Sequence, residues 1–224
     1  MIDFIGRFFK EGGFFMYPIT LLFAFGLAVV MERFFVLFKK YNLDADKYFN
    51  FVEQKLVNKD LDDVTRHSPD TPLSNIFKFG IDVIKRCQPG EDKSCEVKIF
   101  KGERRASVVI EKTIEEIAAL EFPKIERRLN FLPTVANLST LLGLLGTLQG
   151  LIQAFSSLSN VDPSQKAQFL AQGISVAMNT TAYGLFVAVI ILFMYTILNA
   201  RAERLMEETE YYVLKFINLI TMRY

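Results

Sequence analysis

Apolar residues are concentrated in three stretches of the chain, and each stretch is long enough to cross a membrane as a helix. A helix needs about 20 predominantly apolar residues to span a bilayer. The three stretches are residues 14–38, 131–155 and 174–198. This pattern predicts an all-α membrane protein with three transmembrane helices.

Residues 1–13 form a separate amphipathic segment. At helical spacing, Ile2, Ile5, Phe8 and Phe9 fall on one face of it. The apolar run that follows is longer than that of a signal peptide, and no small-residue cleavage site comes after it. We therefore expect a short helix that lies on the membrane surface.

The polar segments also predict helices. Residues 39–130 have few β-branched runs, and their last part indicates a long helix, interrupted near Pro123, that leads into the second span. Residues 199–224 continue the third span without a glycine or a proline. We expect the second and third transmembrane helices to extend into a helical cytoplasmic domain, with residues 156–173 as a short outer loop.

Lysine and arginine residues near the ends of the spans predict the orientation. Cytoplasmic segments of membrane proteins carry an excess of these residues. Within twenty residues of a span end, eleven of them lie on the side of residues 39–130 and 199–224, whereas three lie on the side of residues 1–13 and 156–173. We expect the N-terminus outside and the C-terminus in the cytoplasm.

Small side chains recur at steps of three and four residues in the second and third spans, which places them on one face of each helix. These stripes are Ala136, Thr140, Gly143, Thr147, Gly150 and Ala154 in the second span, and Ala177, Thr181, Gly184 and Ala188 in the third. Small residues let membrane helices approach closely. The glycines expected to serve close helix packing are Gly143, Gly146, Gly150 and Gly184. We expect homo-oligomers to form through these stripes.

Hydroxyl and amide side chains inside the spans are candidates for an ion pathway, because polar groups retained in a membrane helix often mark one. The candidate pore-lining residues are Thr140, Thr147, Asn179, Thr180 and Thr181. Each threonine also has a local alternative, since its hydroxyl can donate to the backbone carbonyl four residues earlier.

Charged side chains are absent from the second and third spans. Hydroxyl groups alone do not titrate near neutrality, so an ion that crosses here needs a carboxylate from another polypeptide. The charged pair Glu32-Arg33 lies toward the cytoplasmic end of the first span. Adjacent residues do not face each other on a helix, and each therefore needs its own partner or the interface.

The remaining chemistry is sparse. The net charge of +1 creates no field that favours nucleic acid. Cys87 and Cys95 allow a redox pair or half a metal site, but no further Cys or His cluster completes a site, which favours reduced structural thiols. His67 is interpreted as a surface residue. No nucleotide loop, nucleophile–base pair or metal spacing occurs, so we predict no catalytic residue, cofactor or metal site.

Two sequence signatures resemble those of a known family. The stretches "LLGLLGTLQGLIQAF" in the second span and "GISVAMNTTAYGLFVAV" in the third resemble the paired signatures of the MotA/TolQ/ExbB family of ion-driven motors and proton channels. The stretch "EFPKIERRLNFL" before the second span is also similar. Three spans with a large first cytoplasmic loop resemble the TolQ/ExbB branch, whereas the MotA branch has four spans.

The resemblance implies a homopentamer in a bacterial inner membrane, with the N-terminus in the periplasm. Its second and third spans would line a pore around two single-span helices of an ExbD- or TolR-like partner. The partner's membrane aspartate would carry H⁺ or Na⁺, and Thr147 and Thr181 match the family's pore threonines. Thr140, Val176 and Ile190 stand where the family often has Pro, Glu and Pro, and these departures leave open which process the motor powers.

The sequence thus favours the pore-forming subunit of an ion-driven motor. The alternative from another class is a structural membrane scaffold in which threonine and glycine only pack helices. A secondary transporter is disfavoured because the three spans show no repeats or broken helices, and an enzyme is disfavoured by the absence of catalytic motifs.

Overall fold

The computed structural model describes residues 13–41, 43–57, 61–87, 103–158 and 162–223. Within these ranges the chain is helical and contains no β-strand. The helices are α1 (Met16–Phe35, continued by the π-helical turn Val36–Lys40), α2 (Ala45–Val57), α3 (Leu61–His67), α4 (Pro72–Cys87), α5 (Glu103–Glu126), α6 (Phe131–Ser157) and α7 (Lys166–Arg223).

Three helical stretches in the described residues are long and apolar enough to cross a membrane. They are Met16–Lys40, Glu111–Ser157 and Lys166–Ile220. The predicted fold class, an all-α membrane protein with three transmembrane helices, is therefore confirmed. The first helix begins near the predicted start of its span, and α7 begins at Lys166 rather than at Ile174. The loop after α6 is accordingly shorter than residues 156–173.

The chain divides into two compact units. The membrane unit comprises Met1–Arg33 and Arg128–Leu198, and the second unit comprises Phe34–Arg127 and Asn199–Tyr224. Residues 1–12 of the predicted amphipathic helix and the position of Cys95 lie outside the described residues. Cys87 is the last residue of α4.

In the membrane unit, α6 and α7 form an antiparallel pair. Gly184 of α7 lies against Ser139 of α6, whereas Ala177, seven positions earlier in α7, lies against Gly150 farther along α6. Helix α1 packs on both of them, since a Cβ added to Gly26 would lie 2.7 Å from Ile191 Cδ1 and 3.3 Å from Val135 Cγ1. The three apolar helices therefore share one packed core.

A hydrogen bond also joins α1 to α7. The Thr20 and Tyr183 hydroxyl oxygens lie 3.2 Å apart, and the Thr20 hydroxyl is 2.8 Å from the Met16 carbonyl oxygen. Interhelical hydrogen bonds of this kind add modestly to the stability of membrane bundles.

The second unit has an aromatic core. The rings of Phe77 and Phe216 stack with centroids 4.4 Å apart, and Phe77 also contacts the rings of Tyr48 and Phe49 at 5.9 and 6.2 Å. Phe49, Phe77 and Phe216 are fully buried or nearly so. Because Phe216 belongs to α7, the last part of that helix is a structural component of this unit.

The break before α6 lies beyond the position that the sequence predicts. Pro123 is inside α5, which continues to Glu126. A proline removes one backbone hydrogen bond but need not end a helix. The chain instead turns over residues 127–130, where Arg128 adopts a left-handed conformation with φ of 68°. The break between α5 and α6 therefore lies at Arg128 and not at Pro123.

Candidate functional site

The contact between α6 and α7 is built on glycine. A Cβ added to Gly184 would lie 2.6 Å from the Ser139 carbonyl oxygen, and one added to Gly143 would lie 3.3 Å from Thr181 Cα. A Cβ at Gly150 would lie 2.8 Å from Ala177 Cβ. The two helix backbones thus approach so closely that hydrogen is the only side chain that fits at Gly184.

These close contacts lie within one chain, which corrects one expectation from the sequence. The stripes were expected to join copies of the protein. Gly143, Gly146 and Gly150 of α6 instead pack against residues 177–184 of α7 in the same chain. The physical reason is the short connection after α6, which brings α7 back antiparallel and lets two small faces of one chain cover each other.

Three threonines form what we term the hydroxyl edge, namely Thr140, Thr147 and Thr181. Successive residues of a helix are rotated by about 100°, so Thr140 and Thr147 lie roughly 40–60° to the same side of Gly143. On α7, Thr181 borders the contact from that side as well. All three side chains are half-buried. The fold therefore brings together threonines that are far apart in the sequence.

Each hydroxyl on this edge donates to a backbone carbonyl. The Thr181 hydroxyl crosses between helices to the Gly143 carbonyl oxygen at 2.8 Å. Within α6, Thr140 donates to Ala136 at 3.2 Å and Thr147 to Leu144 at 2.6 Å. A hydroxyl that donates in this way keeps lone pairs with which it can accept a hydrogen bond or bind a cation.

The other two candidate residues lie elsewhere. Thr180 is 2% exposed, packs on Gly146 and donates to the Val176 carbonyl at 3.1 Å. Phe15, just before α1, also approaches Gly146, so Thr180 lies on the α1 side of the helix pair. Asn179 is half-buried and is rotated by about 200° from Thr181. Neither residue belongs to the hydroxyl edge.

A charged cluster lies at the far end of α1. Arg128 Nη1 donates to both carboxylate oxygens of Glu32, at 2.7 and 2.6 Å, and Arg33 Nη2 donates to Glu32 Oε1 at 3.2 Å. The sequence led us to expect separate partners for Glu32 and Arg33; this is wrong for Arg33, which contacts Glu32 itself, and Arg128 was not identified. Arg128 is 96 positions from Glu32, and a contact over that separation leaves no periodic pattern in the sequence. This ion pair fixes the left-handed residue Arg128 to α1.

Several contact residues of the membrane unit were not singled out by the sequence. Ser139 is buried and donates to the Val135 carbonyl at 2.8 Å. The Ile191 side chain packs on Gly26, and the hydroxyls of Tyr183 and Thr20 form a hydrogen bond. A glycine inside an apolar span was a usable signal for Gly26. Among the described residues, no group of three or more His, Cys, Asp or Glu side chains is placed to hold a metal ion.

Comparison with family models gives a match over residues 70–211 to the MotA/TolQ/ExbB proton channel family. This range is more than half of the chain, and it contains α6 and all three threonines of the hydroxyl edge. The chain belongs to this family. The resemblance noted in the two sequence signatures is thereby confirmed.

Curated relatives point to the TolQ/ExbB branch of the family. The Tol-Pal system protein TolQ of Pseudomonas aeruginosa is 34% identical over 139 residues, which are 61% of this chain and 55% of that protein. TolQ of Haemophilus influenzae is 26% identical over 226 residues, covering 98% of this chain and 94% of its own length. The biopolymer transport protein exbB1 of Vibrio cholerae is 40% identical over 91 residues, 41% of this chain and 40% of that protein.

Family membership and the three apolar helices make this member of the MotA/TolQ/ExbB family an inner-membrane protein of the channel type. The aligned part of the Pseudomonas relative is only about half of that protein, 55%. The family range includes both α6 and the membrane part of α7.

Proposed function

We propose that this protein is the pore-forming subunit of a proton-driven motor in a bacterial inner membrane. The observation that carries the proposal is the hydroxyl edge, which places three threonine oxygens along one side of the α6–α7 pair. Thr181 lies beside Gly143 and Thr147 lies one helical turn farther along α6. A moving proton carrier therefore meets hydroxyl groups at successive depths.

The hydrogen bonds of the edge define what it can bind. Because the hydroxyl protons of Thr147 and Thr181 are already donated to carbonyls, their oxygens act as acceptors. Such oxygens stabilise a protonated carboxylic acid or a bare cation rather than a carboxylate. The edge thus favours the neutral, proton-loaded form of a carrier inside the membrane.

The carrier belongs to a second polypeptide in this proposal. Residues 131–157 and 167–198 contain no Asp, Glu, Lys, Arg or His, so a titratable group has to come from elsewhere. A dimer of single-span ExbD- or TolR-like subunits with a membrane aspartate fits this need, surrounded by a homopentamer of the present chain. The relatives named as Tol-Pal and biopolymer transport proteins support such a partner.

A structural scaffold is the second candidate function, and one observation favours it. Every threonine of the hydroxyl edge is satisfied within its own chain, and Thr181 joins α6 to α7 directly. In that case the hydroxyls serve only helix packing. Their loss would lower the stability of the assembled protein, and transport would fall only as far as stability does.

The test replaces Thr147, Thr181 or both by valine, which keeps the side-chain shape and removes the hydroxyl. We expect partner-dependent proton flux into proteoliposomes to fall by about tenfold or more. Losing a hydrogen bond of about 1.5 kcal/mol raises the barrier of the rate-limiting transfer step by that amount, and this slows the step about tenfold. Assembly should persist, because an interhelical hydrogen bond in a membrane contributes only about 0.6 kcal/mol.

Thr134→Val is the matched control. Thr134 lies on α6, is exposed and donates to the Asn130 carbonyl at 3.3 Å, and its position is rotated by about 180° from Gly143, away from the hydroxyl edge. Its replacement should leave flux unchanged, and vesicles without the partner should show little flux with any variant. Normal flux in the double variant, at normal oligomer yield, would exclude the hydroxyl edge from the ion path and leave the scaffold.

A further inference from the structure

Two adjoining cavities open at the end of the membrane unit where α6 ends and α7 begins. Their volumes are about 320 Å³ and about 210 Å³. Gly150, Gln153 and Val176 line both cavities. The two cavities therefore adjoin along the α6–α7 pair, and we term them together the amide vestibule.

The vestibule is lined by uncharged polar groups. Gln149 and Gln153 of α6 and Gln172 of α7 supply three side-chain amides, and Ser157 adds a hydroxyl near the mouth. Among the described lining residues, none carries a charge. The lining can therefore hydrogen-bond with both donors and acceptors without binding an ion tightly.

The vestibule lies on the opposite side of the helix pair from the hydroxyl edge. Gln149 and Gln153 are rotated by roughly 60–120° from Gly143 in the direction away from Thr147. The start of α1 flanks this side, since Phe14 and Phe15 line the larger cavity. The space is thus lined by α1, α6 and α7 of one chain, and it opens to the surface, where Gln149 and Gln153 are exposed.

The vestibule also reaches deep into the span. Its lining extends along α6 from Ser157 to Gly146, a rise of about 16 Å at 1.5 Å per residue. That is about half of the 30 Å hydrocarbon core of a bilayer. At its inner end lies Thr180, adjacent in sequence to Thr181 of the hydroxyl edge.

Water is the occupant that this chemistry fits. Amide groups that face a space without hydrogen-bond partners are strongly disfavoured in hydrocarbon. A polar cavity of about 10–15 Å³ is enough to hold one water molecule, so the vestibule has room for many water molecules. A lipid chain in the same space would leave the glutamine amides unsatisfied.

We propose that the amide vestibule is a water-filled access route along the surface of each subunit, through which hydrated protons reach the depth of Thr180. Its role in proton access rests on the function proposed above, whereas its hydration does not. The neutral lining lets a cation pass without binding it tightly. The inner end of the vestibule, at Thr180, and the hydroxyl edge lie on opposite sides of the α6–α7 contact.

The first experiment measures hydration in the assembled complex with its partner, in membrane vesicles. Gln149 and Gln153 are replaced singly by cysteine in a chain that carries Cys87→Ser and Cys95→Ser. Ile152→Cys, at a lipid-type position that is 63% exposed, and Ser164→Cys, in the exposed loop, are the matched controls. The probes are a charged methanethiosulfonate and an uncharged, lipid-soluble maleimide.

We expect the charged probe to modify the Gln149→Cys and Gln153→Cys variants at least about tenfold faster than the Ile152→Cys variant, because the reactive thiolate forms in water and not in lipid. Their rates should approach that of Ser164→Cys. If instead they react like Ile152→Cys, preferring the maleimide, the space holds lipid and the proposal is overturned.

The second experiment measures access. Gln149→Leu combined with Gln153→Leu should lower partner-dependent proton flux by about tenfold, the effect of losing one hydrogen-bond contact to the moving charge, while Ile152→Leu leaves it unchanged. Unchanged flux in the double leucine variant, at normal oligomer yield, removes the access role even if the cavity is wet. Failure of the proposed function itself appears separately, as normal flux in the Thr147→Val, Thr181→Val variant.

Discussion

Gly184 sets the distance between α6 and α7. A side chain there would place its Cβ 2.6 Å from the Ser139 carbonyl oxygen and 3.1 Å from Gly143 Cα. Both obstacles are backbone atoms, which cannot rotate aside. The glycine at this position therefore permits the approach at which the Thr181 hydroxyl reaches the Gly143 carbonyl.

Replacing Gly184 by alanine should destabilise the membrane unit by about 1–3 kcal/mol, the usual cost of overpacking a tight core. The measurement is the unfolding midpoint of the purified protein in mixed micelles, followed by its helical circular dichroism signal. Gly26→Ala is the control, because its Cβ would meet the flexible end of Ile191 at 2.7 Å and a side chain can move. Equal loss in both variants would contradict the rigid backbone contact.

At the scale of elements, α7 is the helix on which both units depend. It is 58 residues long. Its first part carries Thr181 in the membrane unit, and its last part supplies buried residues to the second unit, among them Tyr212 and Phe216. Tyr212 also donates a hydrogen bond to Asp46 at the start of α2. The tail after the third span is thus part of a folded core.

Phe216→Ala should destabilise the second unit by about 3–5 kcal/mol, because it removes a fully buried ring. Leu214→Ala, two residues earlier and 53% exposed, should change stability by no more than about 0.5 kcal/mol. Limited proteolysis of the detergent-solubilised protein, with fragments identified by mass, reports the difference. Comparable protease sensitivity in the two variants would mean that Phe216 does not hold the core together.

At the scale of the whole molecule, charge determines the expected orientation. Lysine and arginine are concentrated on the side of residues 39–130 and 199–224, and this bias predicts that the second unit faces the cytoplasm. Two ion pairs within that unit, Lys40 with Asp70 at 2.8 Å and Lys47 with Asp44 at 2.7 Å, are exposed. Exposed pairs contribute little to stability.

Cysteine labelling tests this orientation. In intact cells, an impermeant thiol reagent should not modify Cys87 or Cys95 until the inner membrane is permeabilised. A Ser164→Cys variant that also carries Cys87→Ser and Cys95→Ser should react without permeabilisation once the reagent has entered the periplasm. Rapid modification of the native cysteines in intact cells would reverse the topology.

The fold class followed from the sequence because the signal is local. A run of apolar residues reports a membrane span regardless of what surrounds it, and the three stretches around residues 14–38, 131–155 and 174–198 needed no knowledge of packing. The paired signatures around Thr147 and Thr181 likewise identified the family. The position of the break before α6 was missed, since the sequence marks Pro123 but the turn depends on Arg128 and its ion pair with Glu32.

Only the tertiary structure decided which faces meet. Helical periodicity alone places Gly143 and Thr147 on one stripe, and it cannot say whether that stripe meets another chain or α7 of the same chain. The antiparallel return after α6 buries the glycines within the subunit and leaves Thr140, Thr147 and Thr181 together at one edge. It also separates Thr180 and Asn179 from that edge and places Gln149 and Gln153 along a cavity that opens to the surface. Such pairings arise from contacts between residues far apart in the chain, and those contacts leave no periodic trace in the sequence.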